Sequence, residues 1–529
     1  MRKASYWLAA MVGLTLILSA CSSEEDINPD NRNLKHITFT AGQSQTRTII
    51  DGTDATQINW QAGETISILD GTSTTRSFTL SSGDGKPEGT FEGMAQETSS
   101  YTAVYPHQEK LKLNGNSVEG AWLDPVQNAT AGTFDPKANL MMARTKSADD
   151  KILQFHNMTA FVKVTPQMDC EQITIVSADS TVGLAGTMTM TLNEDGKVEA
   201  KVTDNASHQV SLTGDIKAGQ TYYIAIAPAA LKGGIRMGIT TKEGKHYCKD
   251  ASKLEAFTAN KVLNLGSISV GEKNWLPYVT FSAKEVQEVT LNEYIPTIES
   301  IEYSTDYGRH WSYFAPGQAH SFGKTTRLML RGNNPNGTAT DKSGEYSNFT
   351  FGNDQTDVAC SGDIRTLING DKYQGANTKN ARFKYLFCHN TVLTSAPVLP
   401  ATELATDCYD GMFMGCTNLK KAPELPATQL SANCYAYMFH SCTSLVESPV
   451  LAAESLTSHC YHAMFGGCTN LKKVTMLATS AQKDKDSNSL DTWLEGTTGG
   501  TLYVKSSIKD SEYLKANVPE GWNIDTVGE

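Results

Sequence analysis

The chain has 529 residues, 39% of them hydrophobic, with 45 Lys and Arg against 57 Asp and Glu and a formal net charge of -12. This length predicts about three domains, and the hydrophobic fraction is sufficient for packed cores. The charges are scattered and no basic run or stripe is present, which argues against a nucleic-acid-binding protein.

The first 20 residues have the pattern of an export signal. Arg2 and Lys3 precede a long apolar run, which ends in Leu18-Ser19-Ala20-Cys21. A plain signal peptide or a single N-terminal membrane helix would share the apolar run. The ending resembles the lipobox of bacterial lipoproteins. That resemblance implies an acylated (palmitate-bearing) Cys21 and the lipid of the cell outer membrane as a partner.

Residues 21–35 are polar and acidic and are expected to form an extended tether. The acidic stretch directly behind the cysteine resembles an export signal that places lipoproteins on the outer face of some Gram-negative anaerobes. The predicted localisation is therefore the cell outer membrane, lipid-anchored and facing outward.

Residues 36–270 alternate short β-rich runs with Gly, Asp, Asn and Ser turns, which predicts an all-β, sandwich-like region. The clearest element is a hairpin, MTMTLNEDGKVEAKV, with its turn at Asp195-Gly196. After a junction at Trp275, residues 276–375 predict a second, smaller β-sandwich with turns at Tyr307-Gly308 and Asn336-Gly337.

The region up to residue 270 resembles the fimbrillin (Mfa-like) family of lipoprotein pilins. The matching residues are ITFTA at 37–41, Thr46-Arg47-Thr48, Trp60, FHNMTAFVKV at 155–164 and YYIAIAP ending at Pro228. The resemblance implies a transthyretin-like β-sandwich pair. It also implies possible cleavage after Arg47 by an arginine-specific protease, followed by insertion of a strand from the next fimbrial subunit. The alternative is that Arg47 is only a solvated turn residue.

Residues 382–480 contain a repeat with a period of 26 residues. CYDGMFMGCTNL begins at 408, CYAYMFHSCTSL at 434 and CYHAMFGGCTNL at 460, and RFKYLFCHNTVL at 382–393 is a degenerate copy. Leucines recur in fixed columns, which predicts a stacked solenoid of the leucine-rich type. Cys434 and Met438 are four residues apart, which suggests a short helix, and segments such as LKKAPEL are expected to supply a strand. The prolines at 397, 423 and 449 should lie at a sheet edge or a bend.

Six of the eleven cysteines fall in two columns of these repeats, at 408, 434 and 460 and at 416, 442 and 468. Pairing along a column or between columns is conceivable, but a ladder of small, buried, reduced side chains is favoured. His459, Cys460, His462 and Cys468 could be read as metal ligands. Because the other copies lack matching histidines, no metal site is predicted.

The repeats resemble the BspA-like leucine-rich repeats of bacterial surface proteins, through MFMGCTNL, MFHSCTSL and MFGGCTNL. WLEG at 493–496, GGTLYV and PEGW resemble the ends of such arrays, and residues 481–529 are read as a C-terminal cap. The resemblance implies an α/β leucine-rich-repeat solenoid that acts in adhesion. Residues outside the conserved-looking columns could contact a partner: Tyr437, His440 and His462.

No known catalytic or phosphate-binding motif is present, so the protein is predicted to be no enzyme and to need no cofactor. The preferred hypothesis is a surface adhesin that binds a host matrix protein, host cell or glycan through the repeats. The first alternative is a structural fimbrial subunit, at a pilus tip or anchor, assembled by strand exchange with other subunits. The second is a glycan-binding surface lipoprotein, for which Trp60, Trp275 and Trp311 are too dispersed in sequence to indicate an aromatic platform.

Overall fold

The computed structural model describes residues 33–43, 59–294, 298–323, 326–481 and 488–527. Cys21 and Arg47 lie outside this part of the chain. The protein is mainly β, as predicted, and its described residues include two short α-helices, α1 (Thr366–Asn369) and α2 (Glu512–Ala516). The described ranges also contain four 3-10 turns, at Pro136–Ala138, Glu272–Asn274, Gly370–Gly375 and Ser506–Ile508. None of the helices in the described ranges has the length and apolarity needed to cross a membrane.

The first β unit is a closed sheet of seven strands in the order β1-β10-β9-β5-β2-β3-β4. Strand β1 closes it by pairing antiparallel with β4 over seven residue pairs and parallel with β10 over four. Phe39 of β1 is fully buried among aromatic side chains that include Phe78 and Tyr101. The first ten strands are β1 (Lys35–Gln43), β2 (Thr65–Leu69), β3 (Arg76–Ser82), β4 (Gly89–Ala95), β5 (Thr102–Tyr105), β6 (Lys112–Asn114), β7 (Ser117–Leu123), β8 (Val126–Asn128), β9 (Met141–Arg144) and β10 (Ile152–Asn157).

The second β unit packs its sheets around a separate core. Its sheets have the orders β16-β11-β21, β19-β18-β12-β15-β8, β14-β13-β7-β6 and β17-β20. The predicted hairpin is confirmed: β13 and β14 pair antiparallel on either side of the Asp195-Gly196 turn. The strands are β11 (Ala160–Pro166), β12 (Cys170–Ser177), β13 (Ala185–Leu192), β14 (Val198–Ser207), β15 (Gln209–Ile216), β16 (Tyr222–Ile226), β17 (Ala229–Ala230), β18 (Ile235–Thr240), β19 (His246–Ala251), β20 (Ala256–Phe257) and β21 (Val262–Ile268).

The third β unit has a five-stranded sheet, β25-β24-β27-β22-β29, and a three-stranded sheet, β26-β23-β28. Phe281 lies between them in edge-to-face contact with Phe349 at 5.3 Å between ring centroids. The strands are β22 (Val279–Ala283), β23 (Gln287–Glu293), β24 (Ile301–Ser304), β25 (Ser312–Tyr313), β26 (Ala319–Phe322), β27 (Leu328–Gly332), β28 (Ser347–Phe351) and β29 (Val358–Ser361).

Tyr307 joins the second and third β units. Tyr307 has a left-handed φ of 57° and is only 2% exposed. The ring covers Gly238 of β18, where an added Cβ would lie 2.5 Å from a ring carbon. Its hydroxyl lies 3.1 Å from Thr240 Oγ1, and its carbonyl accepts a hydrogen bond from Arg236 Nη1 at 2.9 Å. The predicted turn is therefore a buried contact between units.

The three twelve-residue repeat segments at 408–419, 434–445 and 460–471, together with the copy at 382–393, are called the arcs below. Backbone N–H groups alternate along an arc between two kinds of partner. Tyr435 N donates to Cys460 O in the next arc, whereas Ala436 N donates to Asn433 O within its own turn. The same alternation recurs at matching positions of the neighbouring arcs. Each arc is thus a run of tight turns that is hydrogen-bonded along its length to the next arc.

The predicted short helix over Cys434–Phe439 is wrong. Asn433, Tyr437 and Ser441 all have left-handed φ values, between 53° and 61°, which interrupt an α-helix every fourth residue. These residues rotate alternate N–H groups away from the local turn and toward the neighbouring arc. The spacing of Cys434 and Met438 therefore reflects a periodic turn rather than a helix face.

Aromatic side chains inside the arcs stack in continuous columns. The rings of Phe387, Phe413, Phe439 and Phe465 follow one another at centroid distances of 5.5, 5.7 and 5.8 Å and are parallel to within 7°. A second column contains Tyr409, Tyr435 and Tyr461. One hydrophobic cluster runs from Val279 of the third β unit to Trp522 near the C-terminus, so the arcs continue the core of that unit.

The array ends in a four-stranded parallel sheet, β30-β31-β32-β33. Its first strand contains Pro449 at the sheet edge, beside a shift in register, as predicted for this proline. No strand forms at 419–425, so the expected strand appears only in the later coils. Trp493 is fully buried and donates from Nε1 to Asn517 O at 2.9 Å, which helps close the end of the stack. These strands are β30 (Glu447–Leu451), β31 (Lys473–Met476), β32 (Thr501–Val504) and β33 (Asn523–Thr526).

Candidate functional site

The structure brings the three predicted partner-binding residues together on the outer side of the arcs. Tyr437 Oη lies 2.9 Å from His462 Nε2 in the next arc. The rings of Tyr437 and His440 are 5.9 Å apart between centroids. All three side chains are half-buried. We call Tyr437, His440 and His462 the outer cluster.

The local repeat explains why these side chains point outward. Met438 and Phe439 are buried in the core of the arcs. Tyr437 directly precedes them in the chain, and its left-handed φ interrupts the local turn. The His440 ring packs directly on Gly466 of the next arc. A Cβ added to Gly466 would lie only 2.8 Å from His440 Cδ2, so only glycine leaves room for the ring. The ring of His440 is therefore seated on a glycine and has little freedom to move.

Both imidazoles of the outer cluster are held in the neutral form near pH 7. Burial lowers the pKa of His440 below its usual 6.5. Burial also lowers the pKa of His462, and repulsion from the neighbouring His459 lowers it further. Neutral imidazole and phenol groups both donate and accept hydrogen bonds, so this face suits a polar partner without requiring that partner to be charged.

Sequence analysis missed a row of three tyrosines at the seam between the third β unit and the first arc. Tyr294 directly follows β23 and Tyr346 directly precedes β28, and these two strands pair with each other. The ring centroids of Tyr294 and Tyr346 are 4.9 Å apart, and those of Tyr346 and Tyr385 of the first arc are 5.0 Å apart. We call Tyr294, Tyr346 and Tyr385 the tyrosine row. Tyr385 occupies the repeat position of Tyr437, two arcs earlier, and the intervening position is Gly411, on which the Tyr385 ring rests. The row therefore extends the same face.

The repeat cysteines belong to the interior. Cys416, Cys442 and Cys468 donate from Sγ to the carbonyl oxygens of Phe387, Phe413 and Phe439 at 3.0, 3.1 and 3.0 Å. Burial raises the pKa of Cys468 to about 12, which keeps the thiol protonated. None of the ten cysteines of the described ranges forms a disulfide bond, in agreement with the ladder of small reduced side chains. Within those ranges, no group of three or more His, Cys, Asp or Glu side chains is arranged to hold a metal ion.

Asp410 is a half-buried carboxyl group directly beside the tyrosine row. Its Oδ2 lies 3.5 Å from Tyr385 Oη, and its buried Oδ1 has no hydrogen-bond partner. Burial, assisted by the charge of Asp407, raises the pKa of Asp410 to about 7. The folded state therefore holds this proton more tightly than the unfolded state does.

This carboxyl group makes stability depend on pH. Because the unfolded pKa is near 3.8, the free energy of unfolding is expected to fall as the pH rises from about 4 to about 7. The expected contribution is on the order of 2–4 kcal/mol. Denaturant titrations of the wild type and of Asp410→Asn at several pH values measure it, since the amide removes the titrating group. The exposed Asp341→Asn should keep the wild-type slope, and an unchanged slope in Asp410→Asn would contradict the prediction.

Comparison with known proteins gives structural neighbours but no family. No protein-family model matches the chain, and no curated protein matches it. Among solved structures, the chain is similar to a "putative cell adhesion protein" from Bacteroides uniformis, with 18% identity, 46% of this chain and 96% of that chain covered, and a TM-score of 0.30. Another protein of that description, from Bacteroides ovatus, has 10% identity, coverages of 44% and 92%, and a TM-score of 0.30.

A fimbrial protein from Bacteroides ovatus is also similar, with 11% identity, 46% of this chain and 63% of that chain covered, and a TM-score of 0.21. Two of these three neighbours are described as a "putative cell adhesion protein" and the third as a fimbrial protein. At such identities and TM-scores the likeness does not establish the function of this chain. The resemblances to fimbrillins and to BspA-like repeats therefore stay predictions.

Proposed function

We propose that the protein is a non-enzymatic adhesin that is held at the outer face of the outer membrane by lipid on Cys21. In this proposal the arcs form a leucine-rich-repeat solenoid, and their outer side binds a host matrix protein or host cell. The observation that carries the proposal is the contiguous outer cluster, in which Tyr437 and His462 from successive arcs are joined across 2.9 Å.

The stacked arcs suit this role because their interior and exterior are separate. Hydrogen bonds from arc to arc and the aromatic columns fix the backbone, whereas the outward positions differ between copies. Position 437 is tyrosine, and the corresponding positions 411 and 463 are glycine and alanine. Such an array presents side chains that can change without disturbing the core.

The chemistry of the outer cluster also favours protein recognition. Tyrosine is enriched among the residues that dominate binding energies, because its ring supplies large contact area and its hydroxyl a directional hydrogen bond. Tyr437 and His440 are already held by neighbouring groups, so little side-chain freedom is lost on binding. We therefore expect a few aromatic contacts to carry the affinity.

The test uses the full-length protein with point substitutions. Deleting the arcs would expose the core that they share with the third β unit, so a deletion would confuse unfolding with loss of binding. In Tyr437→Ala/His462→Ala, attachment of cells displaying the protein to collagen, fibronectin and cultured epithelial cells is expected to weaken roughly tenfold or more. The measurements are counts of attached cells and the affinity of purified protein for the same surfaces.

Tyr313→Ala is the matched control, because Tyr313 is 62% exposed and lies outside the outer cluster. It should attach like the wild type at equal surface display. Equal attachment of the double variant and the wild type would exclude the outer cluster as the binding face.

The alternative function is a fimbrial subunit assembled by strand exchange. It is favoured by one feature of the first β unit: β1, the first described strand, fills the gap between β4 and β10. Cleavage at Arg47 and loss of β1 would open a slot that a strand from another subunit could fill. In N-terminal sequencing of the mature protein, a start at Thr48 would favour this alternative, and an acylated Cys21 would exclude it.

A further inference from the structure

Strand β14 is a long edge strand with one open side. It is the outermost strand of the sheet β14-β13-β7-β6 and, with ten residues, the longest strand in the described ranges. Strand β13 pairs with one of its sides, and the described residues place no strand beside the other. An edge strand with free N–H and C=O groups can pair with a strand of another molecule.

The hydrogen bonds of the hairpin show which backbone groups of β14 are open. Asn193 N donates to Lys197 O at 3.0 Å, so Lys197 directs its polar backbone groups toward β13. These directions alternate along an antiparallel strand, and Glu199 and Lys201 therefore also face β13. The intervening residues direct their N–H and C=O groups toward the open side: Val198, Ala200 and Val202.

The side chains of these three residues form an apolar row that is incompletely covered. They pack against the core of the second β unit, but each is only half-buried. The residues that face them on β13 are buried: Met188, Met190 and Leu192. The charged residues of this stretch, Glu199 and Lys201, lie on the exposed outer face, and β14 contains no proline. A further strand beside β14 would therefore cover the row and meet no inward-pointing charge.

The charges of β14 are complementary to those of a second copy of the same strand. When a two-fold axis passes beside Ala200, two copies of β14 run antiparallel, and Glu199 of each copy lies opposite Lys201 of the other. The open backbone groups match in the same register, because Val198 then pairs with Val202 and Ala200 with its own copy. Opposite charges at facing positions of antiparallel strands attract each other.

The neighbouring registers are less favourable. An axis at Glu199 would oppose two carboxylates, and an axis at Lys201 would oppose two ammonium groups, which is destabilising. An axis at Val198 would extend the pairing into the hairpin turn. An axis at Val202 would extend it into the shifted register at the far end of β14. The register at Ala200 is therefore the one that the backbone, the apolar row and the charges all favour.

We infer that the protein forms a two-fold homodimer in which the β14 strands of two copies pair antiparallel about Ala200. The two edges then join into one continuous sheet with four strands from each copy. Each contact occurs twice, as in other two-fold interfaces. Pairing through one edge buries a small area, so we expect a weak dimer with a micromolar dissociation constant. Dimerisation through β14 does not depend on what the arcs bind.

Sedimentation equilibrium of the full-length protein in a density-matched detergent tests the dimer. The wild type is expected to dimerise as its concentration rises. Lys201→Glu should raise the dissociation constant roughly tenfold or more, because Glu199 then faces a carboxylate at two places. Glu199→Lys/Lys201→Glu places opposite charges together again and should recover most of the affinity. Lys112→Glu is the matched control, since Lys112 is exposed on β6, at the other edge of the same sheet.

Cross-linking tests the register. Facing residues of an antiparallel pair have Cα atoms about 5.5 Å apart, which is within the reach of a disulfide bond. Under mild oxidation by copper phenanthroline, Ala200→Cys should form a covalent dimer, whereas Ala206→Cys on the same strand should not. Cross-linking of both variants to the same extent would overturn the inferred register.

A wild type that stays monomeric at all concentrations would overturn the dimer itself, as would equal weakening by Lys201→Glu and Lys112→Glu. Circular dichroism and the melting temperature monitor folding. Both charge variants should keep the wild-type values, because Lys201 and Lys112 are exposed.

Discussion

Removing strand β1 is expected to unfold the first β unit. A chain that begins at Thr48 lacks the buried side chains of Ile37, Phe39 and Ala41, together with the pairing of β1 to β4 and β10. Loss of one buried phenylalanine alone costs about 3–5 kcal/mol. The lost strand should therefore destabilise the unit by more than about 5 kcal/mol, which exceeds the margin of many domains. Near-ultraviolet circular dichroism and thermal unfolding of the shortened chain measure this loss.

A peptide with the sequence of β1, KHITFTAGQ, should restore the unit when added to the shortened chain. The same peptide with Phe39→Asp is the control, because a carboxylate at this buried position should prevent binding. Restoration by the first peptide alone would show that the slot accepts a strand from outside, which strand exchange between subunits requires. If the shortened chain folds by itself as stably as the full chain, β1 is dispensable and the fimbrial alternative loses its structural basis.

Phe439→Ala is expected to lower the free energy of unfolding of the array by about 3–5 kcal/mol. Phe439 is fully buried between Phe413 and Phe465, at 5.7 and 5.8 Å. Its removal leaves a cavity in the middle of a column, which its neighbours cannot fill because hydrogen bonds fix the arcs on both sides. Denaturant unfolding followed by tryptophan fluorescence measures the change, since the buried Trp493 lies in the same core.

Val446→Ala is the control for this substitution. Val446 is 53% exposed and lies only a few residues along the chain, so the loss should stay within about 0.5 kcal/mol. Similar losses in the two variants would mean that the aromatic columns do not stabilise the array.

The periodic features of the fold were open to prediction from sequence. The 26-residue period predicted that successive copies stack as coils, because identical residues at a fixed spacing occupy the same place in each coil, and the structure stacks Phe413 on Phe439. Alternating apolar residues around Asp195-Gly196 predicted the hairpin in the same way. In both cases the pattern recurs along the sequence itself, so it can be detected without knowing which distant segments come into contact.

The local conformation of the arcs was harder to predict. Cys434 and Met438 have helical spacing, but a turn of four residues repeated along an arc gives the same spacing. Only the backbone shows that Tyr437 is left-handed, a conformation that is uncommon for a bulky residue. Hydrogen bonds to the next arc stabilise it, and those bonds depend on partners 25 residues away.

The candidate site was predicted only in part. The position of Tyr437, His440 and His462 outside the columns predicted that they could contact a partner, and the structure brings them together. The tyrosine row left no such pattern, because Tyr294 and Tyr346 meet through strand pairing and Tyr385 joins them from another element. Contacts between elements that are distant in sequence leave no periodic signal in a single chain.

The joint at Tyr307 has a mechanical consequence. Its ring is enclosed between Gly238 and the apolar side chains of Val176, Leu276 and Met329, and hydrogen bonds hold its hydroxyl and carbonyl. A force that separates the second and third β units would therefore have to withdraw this ring from its buried contact and break these hydrogen bonds, so the two units are not joined by a free hinge.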